Sequence, residues 1–158
     1  MADASEWVLL AYRLPREPST PRIALWRKLR RLGAAQLVDG LVALPADDRT
    51  VEAFDWLADE VLDAGGEAWT WRAQPGSKAQ EQALRRRMTA TVADDYRALL
   101  AEANELPPEA PPRTVQRLRR ELRSIENRDY FAPKEREQAR RAIEALRSTS
   151  RAEEGAPR

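Results

Sequence analysis

Gln36-Leu-Val-Asp-Gly-Leu-Val-Ala-Leu44 is the stretch that decides how this chain folds. Two short apolar pieces, Gln36 to Val38 and Leu41 to Leu44, meet at Asp39-Gly40, the dipeptide favoured in a two-residue type I′ turn. A β-hairpin is predicted within Ala34 to Pro45. Working outward, each side of the hairpin carries a helix. On the N-terminal side Ser19-Thr20-Pro21 offers a hydroxyl N-cap followed by proline at the first helical position, and Gly33 offers the stop. Leu25, Leu29 and Leu32 lay an apolar stripe along that helix, flanked by Ile23 and Trp26. On the C-terminal side Asp47 and Asp48 precede a helix running to about Ala64, with Val51, Phe54, Leu57, Ala58, Val61 and Leu62 along one side before Gly65-Gly66. One step further out lie two strands. Trp7 to Tyr12 is an apolar run closed by Leu14-Pro15, and Glu67 to Arg72 alternates Trp69 and Trp71 with smaller or polar neighbours before Gln74-Pro75-Gly76.

The order strand, helix, strand, strand, helix, strand predicts an α+β domain over residues 1–76, a ferredoxin-like βαββαβ unit. Its four-stranded antiparallel sheet is expected to carry both helices on one face. Trp7, Trp26, Trp69 and Trp71 are expected to fill the core or the covering helix rather than to stack on bases. From residue 77 to 147 the pattern turns helical. Leu84, Met88, Val92, Tyr96, Leu99 and Ala103 recur at fours and threes over Ser77 to Ala103, and the proline cluster from Pro107 to Pro112 interrupts them. Two further helices are predicted, about Arg113 to Asn127 and Lys134 to Arg147, giving an arm of about three helices. Residues 148–158 are expected to be a disordered tail. An amphipathic helix of this length needs a covering surface, which either the open sheet face or a second copy of the chain can supply.

Composition narrows the function. The chain of 158 residues contains no cysteine and no histidine, which removes disulfides, zinc sites of the usual kind, and nucleophiles built on a Cys or a Ser–His pair. Binding rather than catalysis is expected, with no catalytic residue, no resident metal and no cofactor. The N-terminus lacks the basic start and apolar stretch of a signal peptide. No apolar run approaches the roughly 20 residues that span a bilayer, so a cytoplasmic protein without membrane contact is expected. A net charge of +1 hides segregation: residues 1–33 carry +4, residues 34–75 carry −7 and residues 76–158 carry +4.

Three separated pieces, Trp7 to Pro15, Ile23 to Gly33 with Asp39-Gly40 and Leu44-Pro45 after it, and Ile125-Glu-Asn-Arg-Asp-Tyr-Phe131, resemble the N-terminal domain of the ChrB family of chromate resistance proteins. The resemblance implies a chromate-responsive transcriptional regulator, or an accessory protein of chromate resistance, in bacteria that carry a chromate efflux transporter. Such regulators commonly work as dimers, so the resemblance also implies a homodimer. The family's C-terminal domain has no expected counterpart in these residues. The strand, helix and hairpin portion also looks like the Cas2-like domain of some RNA-associated nucleases and of PaaX-type repressors. Cas2 nucleases place an aspartate at the end of their first strand, where this chain reads Arg13-Leu14-Pro15, so a nuclease reading loses its central residue.

Four sets of side chains are candidates for binding. Arg22, Arg27, Lys28, Arg30 and Arg31 lie within ten residues on the first helix and suit DNA phosphates, although a solvated outer face is the simpler account. Arg13, Arg16, Ser19 and Thr20, with Arg22 nearby, suit chromate or a sulfate-like oxyanion, although capping alone accounts for Ser19 and Thr20. Reduction of chromate is a separate chemistry that needs an electron source, and no cysteine supplies one. A second basic set, Arg85 to Arg87 with Arg113, Arg117, Arg119, Arg120 and Arg123, is interleaved with acids that offer i,i+4 partners. Asp55 and Asp59 share a helix face where Mg²⁺ binds in a nuclease reading, but an acidic solvent face is the simpler account. A scaffold that recruits partners without DNA or anion is the alternative to the regulator.

Overall fold

The computed structural model describes residues 6–107 and 110–154, with side chains through Leu146. Along these residues run β1 (Trp7–Arg13), α1 (Thr20–Leu32), β2 (Ala35–Val38), β3 (Leu41–Pro45), α2 (Asp48–Asp63), β4 (Glu67–Ala73), α3 (Lys78–Glu105), α4 (Pro112–Asn127) and α5 (Lys134–Glu154). The chain is therefore α+β. It divides into two compact units after Arg86, inside α3. The first turns of α3 stay with the sheet, where Glu81 accepts a hydrogen bond from the Trp7 indole at 3.4 Å. The last predicted helix continues to Glu154, through part of the stretch expected as a tail, and residues 155–158 of that tail lie outside the described residues.

The first unit is a four-stranded antiparallel sheet in the order β2-β3-β1-β4. Val8 and Leu10 of β1 stand opposite Leu44 and Val42 of β3, and all four are buried. Because side chains alternate along a strand, Trp7, Leu9 and Ala11 point to the other face. Helix α2 packs across β1 and β4, and its Phe54, Leu57 and Val61 are buried. A capping box holds its start: the Thr50 N–H donates to the Asp47 carboxylate at 2.8 Å, and the Asp47 N–H donates to the Thr50 hydroxyl at 2.9 Å. Thr50, fully buried, also donates to the Pro45 carbonyl at 2.7 Å, tying α2 to the end of β3. Burial of Leu25 and Leu29 seats α1, and Gly33 in the left-handed conformation (φ 73°) ends it.

Three local expectations are corrected. Ser19 does not cap α1 through its side chain: its backbone is already helical, at φ −77° and ψ −17°, whereas a capping hydroxyl needs extended backbone to reach the free N–H groups. The hairpin turn is not type I′. Gly40 alone has positive φ (76°), and the register shifts between Gln36 and Val38, the behaviour of a turn that ends in a left-handed glycine and places an extra residue in one strand. Three of the four tryptophans expected in the core are exposed. Trp69 and Trp71 stand opposite Ala11 and Leu9 on the face away from Val8 and Leu10, and are 66% and 59% exposed. The alternation was legible, but α2 packs against β1 and β4 without covering Trp69 or Trp71. Trp26 is also exposed, and Trp7 is buried.

The second unit has its own core. Val92, Tyr96, Leu99 and Ala103 of α3 pack with Leu118 and Ile125 of α4 and with Ala139 and Ile143 of α5. The stripe on α3 is thus covered within the unit from Val92 onward, and this stretch does not require a second chain. Asp129, in the turn between α4 and α5, organises the arrangement. One carboxylate oxygen accepts the Phe131 and Ala132 N–H groups at 3.1 and 2.9 Å; the other accepts the Tyr96 hydroxyl at 2.8 Å. Arg136 lies 3.4 Å from the second oxygen. The Ile125 to Phe131 motif is therefore a structural clamp. Burial first, and the bond to Asp129 second, push the Tyr96 hydroxyl above its ordinary pKa.

Tyr96→Phe leaves a buried carboxylate short of a donor and is expected to cost about 1–3 kcal/mol, read by urea denaturation with circular dichroism. Because the native hydroxyl holds its proton more tightly than the unfolded one, its contribution is complete below about pH 10 and falls as pH rises beyond it. The variant is expected to lose stability less steeply above that pH than the unaltered chain, and an identical slope contradicts the clamp.

Candidate functional site

Where β1 ends, the chain leaves the sheet through Leu14 and Pro15 and re-enters it through α1, while the β2–β3 turn folds back against the last residues of β1. The Tyr12 N–H donates to the Gly40 carbonyl at 2.8 Å. A Cβ at Gly40 would lie 2.5 Å from the Tyr12 carbonyl oxygen, so this close approach and the positive φ both require glycine. Between these three pieces opens a cleft of ≈ 870 Å³.

Four of the residues singled out for an oxyanion, Arg13, Arg16, Ser19 and Arg22, line this cleft. Thr20 does not line it. Arg13 is committed to Glu67 across the β1–β4 pair at 2.8 Å. Arg16 and Arg22 are exposed and form no ion pair among the described residues. Ser19, which makes no side-chain capping bond, lines the cleft with them. Opposite stand Tyr12, Gln36 and Asp39, with the Gln36 amide donating to Asp39 at 3.3 Å. The Tyr12 hydroxyl has a raised pKa, through burial first and the nearby Asp39 carboxylate second, while Arg22 pulls it back.

The five cations proposed for DNA do not act as one set. Lys28 is held by both carboxylate oxygens of Glu60 on α2, at 2.7 Å each. Arg30 lies 4.8 Å from the centre of the Trp26 ring, a cation–π stack. Arg22 belongs to the cleft. Arg27 and Arg31 are exposed, without ion pairs among the described residues, and their spacing of four puts them on one helix face. Two of the five are therefore engaged by the protein itself, and the outward face carries a pair rather than a cluster.

In the second basic set Arg117 is bonded to Glu102 and to Glu121, as interleaved charges suggest. Asp55 and Asp59 are exposed on α2. Among the described residues no three acidic side chains are grouped to hold a metal ion, and no helix is long and apolar enough to cross a membrane.

Sequence reasoning missed the apolar wall of the cleft. Ile23 and Trp26 line it and are 47% and 54% exposed. A signal was present: Trp26 falls one position after Leu25 and so sits about 100° around the helix from the buried Leu25–Leu29 stripe, in one column with Arg22 and Arg30.

The family model described as "Protein ChrB, N-terminal" matches residues 22–111. Protein ChrB of Cupriavidus metallidurans is 33% identical over 99 residues, which cover 63% of this chain and 27% of that protein. The chain thus spans about a quarter of the length of the curated relative it matches. The family match begins within α1, takes in β2, β3, α2, β4 and all of α3, and ends just before α4.

Gly40→Ala places a methyl group against the Tyr12 carbonyl in a conformation that side chains rarely adopt. A stability loss of about 1–3 kcal/mol is expected, together with shifted amide resonances in β1 and the hairpin. A neutral substitution contradicts the tight seat of the turn.

Proposed function

The chain belongs to the ChrB N-terminal family, and from that premise we propose that it serves chromate resistance as a chromate-responsive transcriptional regulator or an accessory to one. It binds and does not catalyse. Anionic ligands meet it at two neighbouring places: DNA phosphate on the outer face of α1 through Arg27 and Arg31, and an oxyanion in the cleft through Arg16, Arg22 and Ser19. The observation that carries this reading is that Arg16, Arg22, Arg27 and Arg31, exposed along one stretch of chain, form no ion pair among the described residues. An exposed arginine gains little from an internal partner, so leaving four of them unpaired keeps the local positive potential available to an outside anion.

The sheet is read as ferredoxin-like, a reading supported by the β-α-β-β-α-β order and by β1 and β3 lying side by side at its centre. A cytoplasmic homodimer fits a regulator of symmetric DNA sites, with its subunit interface outside the covered stretch of α3. A second reading, a scaffold recruiting a protein partner, draws on Trp56, Trp69 and Trp71, all more than half exposed.

In a band-shift assay the protein is expected to retard its own promoter DNA at low salt. Arg27→Gln with Arg31→Gln is expected to flatten the slope of log K against log salt by roughly 0.9 for each phosphate no longer neutralised. An unchanged slope removes α1 from the DNA, and no shift at low salt removes DNA altogether.

A further inference from the structure

We infer that the cleft between β1, α1 and the β2–β3 turn is a site for a free nucleoside phosphate: a ligand with an aromatic base, a sugar and an anionic group. Size is the first argument. The cleft measures ≈ 870 Å³, within the range of about 300–1,000 Å³ found for sites that take drug-sized molecules. A tetrahedral oxyanion fills the space of a few waters, at about 30 Å³ each, and leaves most of the cleft empty.

Wall chemistry is the second argument. An oxyanion site needs cations and hydrogen-bond donors only, and Arg16, Arg22 and Ser19 supply them. Trp26 and Ile23, on the same wall, have no role in holding such an anion, and their exposure leaves apolar surface of the free protein in water. An aromatic ring laid on Trp26 removes that cost. Arg30 stacks on Trp26 and is not among the residues that line the cleft. Arg22 is one helical turn before Trp26, and spacing of four places both on one face, as a phosphate and its attached base require.

Polar groups opposite complete the set. Asp39 and Gln36 carry a carboxylate acceptor and an amide, the groups that recognise sugar hydroxyls and base edges. The wall thus offers one place for each part of a nucleoside phosphate.

This inference shares the cleft with the oxyanion reading and rests on no binding of DNA, so failure to retard promoter DNA leaves it standing. Calorimetric titration of the full chain at low salt, with adenosine 5′-monophosphate, adenosine, inorganic phosphate and a short single-stranded oligonucleotide as separate probes, tests it. Saturable binding of the nucleotide is expected, with adenosine and phosphate each weaker by roughly tenfold or more. Trp26→Ala and Arg22→Gln are each expected to weaken nucleotide binding by a similar factor, and Arg141→Gln, on α5 and paired with Glu137, is expected to leave it unchanged. Circular dichroism confirms that the variants are folded, and Trp26→Phe, which keeps a ring, is expected to restore most of the affinity. Phosphate binding as tightly as the nucleotide reduces the cleft to an anion site and overturns the inference. So does binding of the oligonucleotide alone, or no saturation of the nucleotide below about 1 mM.

Discussion

The position of β1 between β3 and β4 is the constraint from which the rest of the first unit follows. Val8 and Leu10 are buried to 1% and 0% exposure with hydrogen-bonded neighbours on both sides, so this strand can neither slide nor turn over without exposing the core. Its end is fixed too. Tyr12 is held by the Gly40 carbonyl on one side and by β4 on the other, and Arg13, the last residue of β1, is paired with Glu67. The polypeptide must then climb away through Leu14 and Pro15 to reach α1. The cleft is the space left by that climb, bounded by the strand end, the first turns of the helix and the hairpin that folds back.

Charge is distributed over this frame unevenly. Lys28–Glu60 and Arg13–Glu67 are exposed pairs, each worth no more than about 1 kcal/mol, and they add more to the fixed placing of α1, α2 and β4 than to stability. The Arg30–Trp26 stack is of similar size, about 0.5–1 kcal/mol at an exposed site. What distinguishes the cleft is the opposite condition: Arg16 and Arg22, without ion pairs among the described residues, beside the half-exposed ring of Trp26. Either feature alone is ordinary on a protein surface. Their meeting in one concave place makes it the candidate site of this unit.

Much of the fold was legible in the sequence because local signals agreed with one another. The Asp39-Gly40 pair, the leucine stripe of α1 and the Gly33 stop each predict the element that forms. Errors arose where the deciding interaction was not local. Alternation placed Trp69 and Trp71 on one face, but which face the helices cover depends on how closely α2 approaches β4. The stripe of α3 called for a covering surface, and periodicity alone does not reveal that α4 and α5 supply it. Ser19 had the chemistry of a cap, yet its backbone entered the helix one residue early. Of the candidate site, Arg13, Arg16, Ser19 and Arg22 were named from the sequence and converge. Tyr12, Gln36 and Asp39 were not, because only the return of the hairpin brings them there.

A titration of the full chain with sulfate, followed by nuclear magnetic resonance of the arginine Nε–Hε groups and backbone amides, tests the central claim that the end of β1 holds an anion site. Saturable shifts are predicted for Arg16 and Arg22 together with the amides of Tyr12 and Gly40, while Arg113, Arg119 and Arg120 of α4 stay in place. Shifts that never saturate, or that are as large along α4 as at the cleft, contradict it.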